Sequence, residues 1–167
     1  MANWEFDRDS GLSDLYTSLP SALFQRERWF AHRESSDRME LVDTLKFKKA
    51  GAASIYITVN LFKTLPFAGY YYFIPLLVTQ NAGSQRERLF IRNGFHFYDA
   101  VPTYEYVSLI EQLVESRLSL PTPQGFFQFH PLRSLDEPRL RLAGGTSNSL
   151  LFVSRNYLIK SFRRVYP

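Results

Sequence analysis

The stretch Ser54–Phe62, SIYITVNLF, limits the fold more than any other part of this chain. Ile55, Ile57, Val59 and Leu61 alternate with Tyr56, Thr58, Asn60 and Phe62, which is the two-residue period of a β-strand. Met39–Phe47 precedes it and Gly69–Val78 follows it, and both read as strands. The connections, Lys48–Ala53 with Gly51 and Thr64–Ala68 with Pro66, are short. A parallel crossover needs about a dozen residues or more, so these strands are expected to pair antiparallel. Arg88–Arg92 adds a strand that runs into Asn93-Gly94, a pair favoured in two-residue hairpin turns, and Phe95–Ala100 returns from it.

Helices are expected on either side of this sheet. Gly11–Phe30 reads as two short helices, with Leu12, Leu15 and Leu19 at helical spacing and Pro20 opening the second. Leu23, Phe24, Trp29 and Phe30 give that second segment an apolar side, and a polar loop follows from Ala31. A longer helix is predicted over Pro102–Leu118. Val107, Ile110, Leu113, Val114 and Leu118 lie on one face, and Thr103–Glu105 place a hydroxyl and a negative charge in its first turn. Phe126–His130 and Arg139–Leu142 are expected to form a pair of short strands beyond Pro121–Gly125. The chain thus divides into a helix-plus-sheet unit at 1–99, a helical connector at 100–131 and the opening strands of a further unit at 132–167. That is an α+β organisation.

Composition excludes several classes. The 167 residues are 45% hydrophobic and 22% charged, so a packed core is expected rather than a disordered tail. With 15 Phe and 10 Tyr, that core should be aromatic. The longest apolar run, Ala68–Val78, is interrupted by Pro75 and falls short of the ~20 residues that cross a bilayer. No membrane association is expected. The first residues, MANWEFDRDSG, lack the basic start and apolar stretch of a signal peptide. Cysteine is absent, which rules out disulfides and thiolate metal sites and fits a cytoplasmic protein. The net charge is +4, and the basic residues occur in scattered groups, at Gln25–Arg28, Lys46–Lys49, Gln85–Arg88 and Arg139–Arg141, with no single dense run. These read as solvated surface, not as a nucleic-acid face.

The last part of the chain carries the chemistry. Ala143–Ser149, AGGTSNS, offers two glycines, small polar side chains and successive backbone N–H groups that suit anionic oxygens. Strand Ser149–Val153 leads through Ser154-Arg155-Asn156 into strand Tyr157–Phe162, where Lys160 shares a face with Leu158 and Phe162. Protein-kinase-like folds hold their phosphate-binding lysine on a strand after a glycine-bearing hairpin. The same residues also read as a Gly-Gly turn beside an edge lysine.

Four stretches together resemble the N-terminal part of bacterial maltokinases, including the maltokinase module fused to trehalose synthase, in the aminoglycoside-phosphotransferase-like kinase superfamily. They are Leu19–Phe30 (LPSALFQRERWF), Tyr71–Val78 (YYFIPLLV), Phe97–Val101 (FYDAV) and Gly144–Pro167 (GGTSNSLLFVSRNYLIKSFRRVYP). Two places depart from the family pattern: Ala31-His32-Arg33-Glu34 replaces a glycine- and lysine-rich stretch, and Gly144-Gly145-Thr146 replaces polar residues. The resemblance implies that 1–99 is a cap, a curved antiparallel sheet with N-terminal helices and a cystatin-like shape. It also implies a connecting subdomain at 100–131 and the first antiparallel strands of a kinase N-lobe at 132–167. Gly145, Thr146, Ser147, Asn148 and Ser149 would form the loop that binds the ATP phosphates, and Lys160 would meet those phosphates.

Phosphoryl transfer also needs an acidic residue to accept the sugar proton and further groups to hold magnesium. The family's His-Gly-Asp-like and Asp-Phe-Glu-like motifs do not occur in the 167 residues, and His32, His96 and His130 lack suitable neighbours. The expectation is therefore an N-terminal fragment with no catalytic residue and no metal ligand of its own. ATP and magnesium would belong to the complete enzyme, which would convert maltose to maltose 1-phosphate, and neither is expected bound to the fragment. Its partners would be the C-terminal kinase lobe and a trehalose synthase domain. The alternative is a free-standing, non-catalytic interaction module that docks a trehalose synthase partner. The apolar side of the terminal hairpin is expected to be covered, by the connector or by a second copy.

Overall fold

The computed structural model describes residues 3–8, 11–27, 30, 38–65, 71–82, 87–116, 119–122, 124–128, 141–143, 149–152, 158–161 and 164–165; residue 128 and the last four segments are described by backbone alone. In chain order the strands are β1 (Trp4–Phe6), β2 (Ser18–Pro20), β3 (Arg38–Lys49), β4 (Ile55–Leu65), β5 (Tyr71–Phe73), β6 (Leu76–Thr79), β7 (Arg88–Arg92) and β8 (Phe95–Asp99). The helix α1 (Tyr104–Ser116) follows, then β9 (Ser119–Thr122), β10 (Gly125–Gln128), β11 (Arg141–Ala143), β12 (Ser149–Phe152), β13 (Leu158–Ser161) and β14 (Arg164–Val165). The main antiparallel sheet runs β1-β3-β4-β6-β8-β7, with β2 also on β3 and with β5 paired to both β4 and β14. β9–β10 is a separate hairpin, and β11-β12-β13 is a separate three-stranded ribbon.

The expected helix-capped sheet with a helical connector is overturned. Among the described residues the fold is mostly antiparallel sheet with one α-helix. Gly11–Leu15 and Ser21–Phe24 are single 3-10 turns, and between them β2 pairs with β3, Leu19 opposite Met39. The leucine spacing that suggested a helix instead feeds one core: Leu12, Tyr16, Leu19 and Phe24 are all buried together with Phe62 and Phe97. Segments of four and five residues are too short to form a stable α-helix unaided, so tertiary burial decides their conformation. The connector holds only α1 before the chain returns to strand in β9 and β10. Phe126 and Phe127 pair with Pro121 and Leu120, while Arg141–Ala143 pairs with β12, so the two expected strand partners do not meet. Arg28, Trp29, the loop at 31–37, Leu118 and His130 lie outside the described residues.

Both sheet faces are buried, and a β-bulge explains how. Leu41 stands opposite Phe62 but Asp43 opposite Leu61, so Val42 is an extra residue in β3. One inserted residue reverses the facing of everything after it. Met39 therefore joins the core under the 3-10 turns, whereas Leu45 and Phe47 join the core under α1. On β4, Ile57 and Val59 face α1, and Phe62 faces the 3-10 turns. The expected aromatic core is present: Phe30 lies 5.0 Å from Tyr72 and Phe90 stacks 4.3 Å from Phe97. Asn93 and Gly94 take positive φ of 50° and 76° in the β7–β8 turn, as two-residue hairpins require.

α1 begins where the sequence places its signals. Thr103 Oγ1 accepts the Tyr106 N–H at 3.1 Å and donates to the Ala100 carbonyl at 2.6 Å, a side-chain cap on the first turn. Tyr106, Val107, Leu109 and Leu113 are its buried residues, which shifts the apolar face away from the expected Val114. Glu111 lies one turn before Glu115, and its carboxyl is raised above the usual range first by burial and then by Glu115. The N-terminal strand, unforeseen from sequence, is held by this helix. The Gln112 side chain accepts the Trp4 N–H at 2.8 Å and donates to the Trp4 carbonyl at 2.7 Å. It completes the open edge of β1 as a neighbouring strand would. Gln112→Ala should lower the unfolding free energy by about 1–2 kcal/mol and speed amide exchange at Trp4; urea unfolding with exchange measurements checks both.

Candidate functional site

The ribbon carries the residues singled out from sequence. In β12 and β13, Ser149 stands opposite Ser161, Leu150 opposite Lys160, Leu151 opposite Ile159 and Phe152 opposite Leu158. On the other side of β12, Ala143 stands opposite Leu150. Residues 144–148 therefore connect β11 to β12 at the end of the ribbon where Ser149 and Lys160 lie. Directly opposed residues on antiparallel strands have Cα atoms ~4.5–5.5 Å apart, which sets the backbone distance between Leu150 and Lys160. Gly145, Thr146, Ser147 and Asn148 lie outside the described residues, as do the side chains of Ser149 and Lys160 and the turn at 154–156. The covering of the ribbon's apolar side lies outside them too.

A second constellation, missed from sequence, is buried in the main sheet. The single Thr44 hydroxyl proton goes to Asn60 Oδ1 at 2.7 Å, so Thr44 Oγ1 can only accept from the Tyr16 hydroxyl, 3.3 Å away. The Asn60 amide then donates to Thr58 Oγ1 at 2.8 Å and to the Ile74 carbonyl at 2.9 Å. Tyr16, Thr58 and Asn60 are fully buried. Burial pushes the Tyr16 hydroxyl up to about 12, against the opposing effect of its bonds to Thr44 and Thr58. This chain of donors is neutral, directed and closed, and it offers no acid or base that works near neutral pH.

Its purpose is structural: it holds β4 to the next strand where β5 gives way to β6. Thr58 stands opposite Leu76 and Leu61 opposite Phe73, so the β4 register continues unbroken past Ile74-Pro75. Pro75 turns its carbonyl to the Ala100 N–H at 3.0 Å, so Ile74 is the residue whose backbone faces Asn60. The Ile74 N–H bonds the Asn60 carbonyl at 2.9 Å, and the Asn60 side chain supplies the return bond. The stretch expected as a single strand at Gly69–Val78 is thus β5 and β6, joined by a side chain. The Thr58 and Asn60 positions in the alternating pattern were the available sequence signal: two polar residues amid apolar neighbours.

Asp43, at the bulge, accepts from the Thr44 N–H at 3.0 Å and from the Thr122 hydroxyl, tying β9 to β3. His96 contacts Arg88 through Nδ1 at 3.2 Å on the β7–β8 surface. No group of three or more His, Asp or Glu side chains among the described residues could hold a metal ion. No helix among them is long and apolar enough to cross a membrane. Compared with known proteins, the chain matches no family model, no curated protein and no solved structure. The maltokinase resemblance rests on the four quoted stretches alone.

Tyr16 gives this site a measurable pH signature. Its pKa is higher folded than the ordinary value of 10.0, so between pH 10 and about 12 the folded protein keeps a proton that the unfolded chain has released. Stability contributed by this group is intact below pH 10 and falls as pH rises through that window, by about 2–3 kcal/mol in all. Thermal unfolding followed by circular dichroism should show this decline, and Tyr16→Phe should flatten it.

Proposed function

We propose that this chain is the N-terminal, non-catalytic portion of a maltokinase-like sugar kinase. Its ribbon contributes a phosphate-binding loop, Gly145 to Ser149, and a phosphate-meeting lysine, Lys160. The observation that carries this reading is the β12–β13 register, which sets Lys160 one position from the strand end that the glycine loop enters. In phosphoryl transfer the protein's task is to position and neutralise the phosphates, so a backbone cradle and a nearby lysine are the parts to look for.

Charge supports the same reading. Residues 138–167 contain Arg139, Arg141, Arg155, Lys160, Arg163 and Arg164 and no acidic residue, leaving 14 basic against 16 acidic residues in 1–137. The net positive charge of the chain therefore belongs to the ribbon region, where a polyanionic nucleotide would be drawn. ATP and magnesium are cofactors of the complete enzyme in this reading, and maltose is its substrate. The carboxylates that accept the sugar proton and hold magnesium come from polypeptide outside these 167 residues.

The chain alone is expected to bind ATP weakly. Millimolar affinity needs ~4.1 kcal/mol, and an exposed lysine–anion pair supplies only ~0–1 kcal/mol. The decisive assay follows the natural full-length gene product with maltose, ATP and magnesium by phosphorus NMR. Maltose 1-phosphate should form, and Lys160→Ala should slow its formation by roughly 100-fold or more. A full-length protein that leaves maltose unphosphorylated, or a variant as fast as the parent, overturns the reading.

A further inference from the structure

The main sheet ends on β7, which among the described pairings has β8 on one side and no strand on the other. The two-residue Asn93-Gly94 turn makes its flanking residues, Arg92 and Phe95, a pair whose backbones bond to each other. In an antiparallel ladder such pairs alternate with pairs that do not bond, so Phe90 also faces β8 and Ile91 does not. The Ile91 N–H and C=O therefore point away from the sheet, where a further strand would stand. The Ile91 side chain is 50% exposed, a large apolar group left open at that edge. Arg88 stands opposite Tyr98 and Phe90 opposite Phe97, so Leu89 is an extra residue. That bulge confines a regular new ladder to residues 90–92.

We propose that β7 pairs with β7 of a second copy, antiparallel and centred on Ile91, to give a two-fold dimer with one continuous sheet. Ile91 then exchanges both backbone bonds with Ile91 of the second copy. A slip of one residue would set outward-pointing groups against inward-pointing ones and make no ladder. A slip of two residues in one direction sets Arg92 opposite Arg92 of the second copy. In the other direction it runs into the bulge and sets Arg92 against Arg88. Like charges directly opposed are destabilising. The register centred on Ile91 instead sets Arg92 opposite Phe90 of the second copy, a cation beside an aromatic ring, twice over. Arg92 is already held on that face: its guanidinium lies 6.0 Å from its own Phe90 ring, and Nη1 donates to the Leu15 carbonyl at 2.6 Å. The two Ile91 side chains meet on the opposite face, at the axis. Bulges and edge charges commonly stop a strand from pairing at all; here they leave one register open. Three residues a side make a small interface, so the dimer is a weak one that forms at high protein concentration. None of this rests on the phosphate-binding reading.

Cross-linking tests the register directly, because the chain has no cysteine. Opposed residues that exchange backbone bonds have Cα atoms ~5.5 Å apart, within the span of a disulfide. Ile91→Cys, oxidised by dissolved oxygen in aerated buffer at high protein concentration, should therefore give a covalent dimer. Tyr104→Cys and Phe126→Cys stand at positions 59% and 65% exposed, and should cross-link roughly tenfold more slowly or less. Equal rates overturn the register. In sedimentation velocity the 167-residue chain should shift toward dimer as its concentration rises. Ile91→Lys, which sets two lysines together at the axis, should weaken that dimer roughly tenfold or more. Its thermal unfolding at low concentration should match the parent's, since Ile91 is half exposed. A chain that stays monomeric, a dimer that Ile91→Lys leaves intact, or an edge that takes only a different polypeptide overturns the proposal. Should Ile91→Lys unfold, the cross-linking rates alone decide.

Discussion

The β3–β4 ladder is the constraint on which the rest of the molecule depends, and the bulge at Val42 is its decisive feature. Without the extra residue, β3 would send Met39, Leu41, Leu45 and Phe47 to a single face. With it, the first pair serves one core and the second pair the other. Each of the two faces then has apolar surface to cover. The α1 helix closes one through Tyr106, Leu109 and Leu113, and the 3-10 turns close the other through Leu12, Tyr16 and Phe24. The N-terminal segment is therefore not an appendage to the sheet. It is the second layer, and its 3-10 geometry follows from having to place several large side chains within a short length of chain.

Burying a sheet on both faces makes every polar group inside it costly unless it is paired. Asn60 sits at the centre of β4, where this demand is greatest. Ile74 stands opposite it, and the Asn60 side chain reaches the Ile74 carbonyl and the Thr58 and Thr44 hydroxyls. The network running from Tyr16 through Thr44 and Asn60 to Ile74 thus joins four separate segments of the chain. A half-made network of this kind is worse than an apolar core, so its members act as a unit.

Much of the sheet was legible in the sequence. Strict alternation at Ile55–Leu61, short links and the Asn93-Gly94 turn are local signals, and local signals survive into the fold. The Pro102–Thr103 start of the helix was legible for the same reason, since a cap acts within one turn. What escaped was non-local. The single inserted residue at Val42 is defined only by what stands opposite it. The Leu12, Leu15 and Leu19 spacing matches a helix and also matches turns folded onto a sheet. The short β1 is held by Gln112, which lies 108 positions away. For the ribbon, the order of loop, strand, turn and lysine strand was legible, and the register adds which residues oppose one another. The sharing of a chain connection with β5 had no sequence signal, because two residues in extended conformation carry none.

That shared connection bears on how a phosphate site could be divided among parts of a protein. A lysine on the outer strand of a three-stranded ribbon is positioned poorly by the ribbon itself: short strands are marginal without a packed face. Precision has to be imported from a body with its own core, and the main sheet is such a body, with both faces filled. Four peptide links separate Lys160 from Arg164, a span of at most about 14 Å. Residues 138–167 carry the chain's excess positive charge, but charge alone fixes no geometry. Placement must come from the backbone, and the β14–β5 pairing is where the described backbone can provide it.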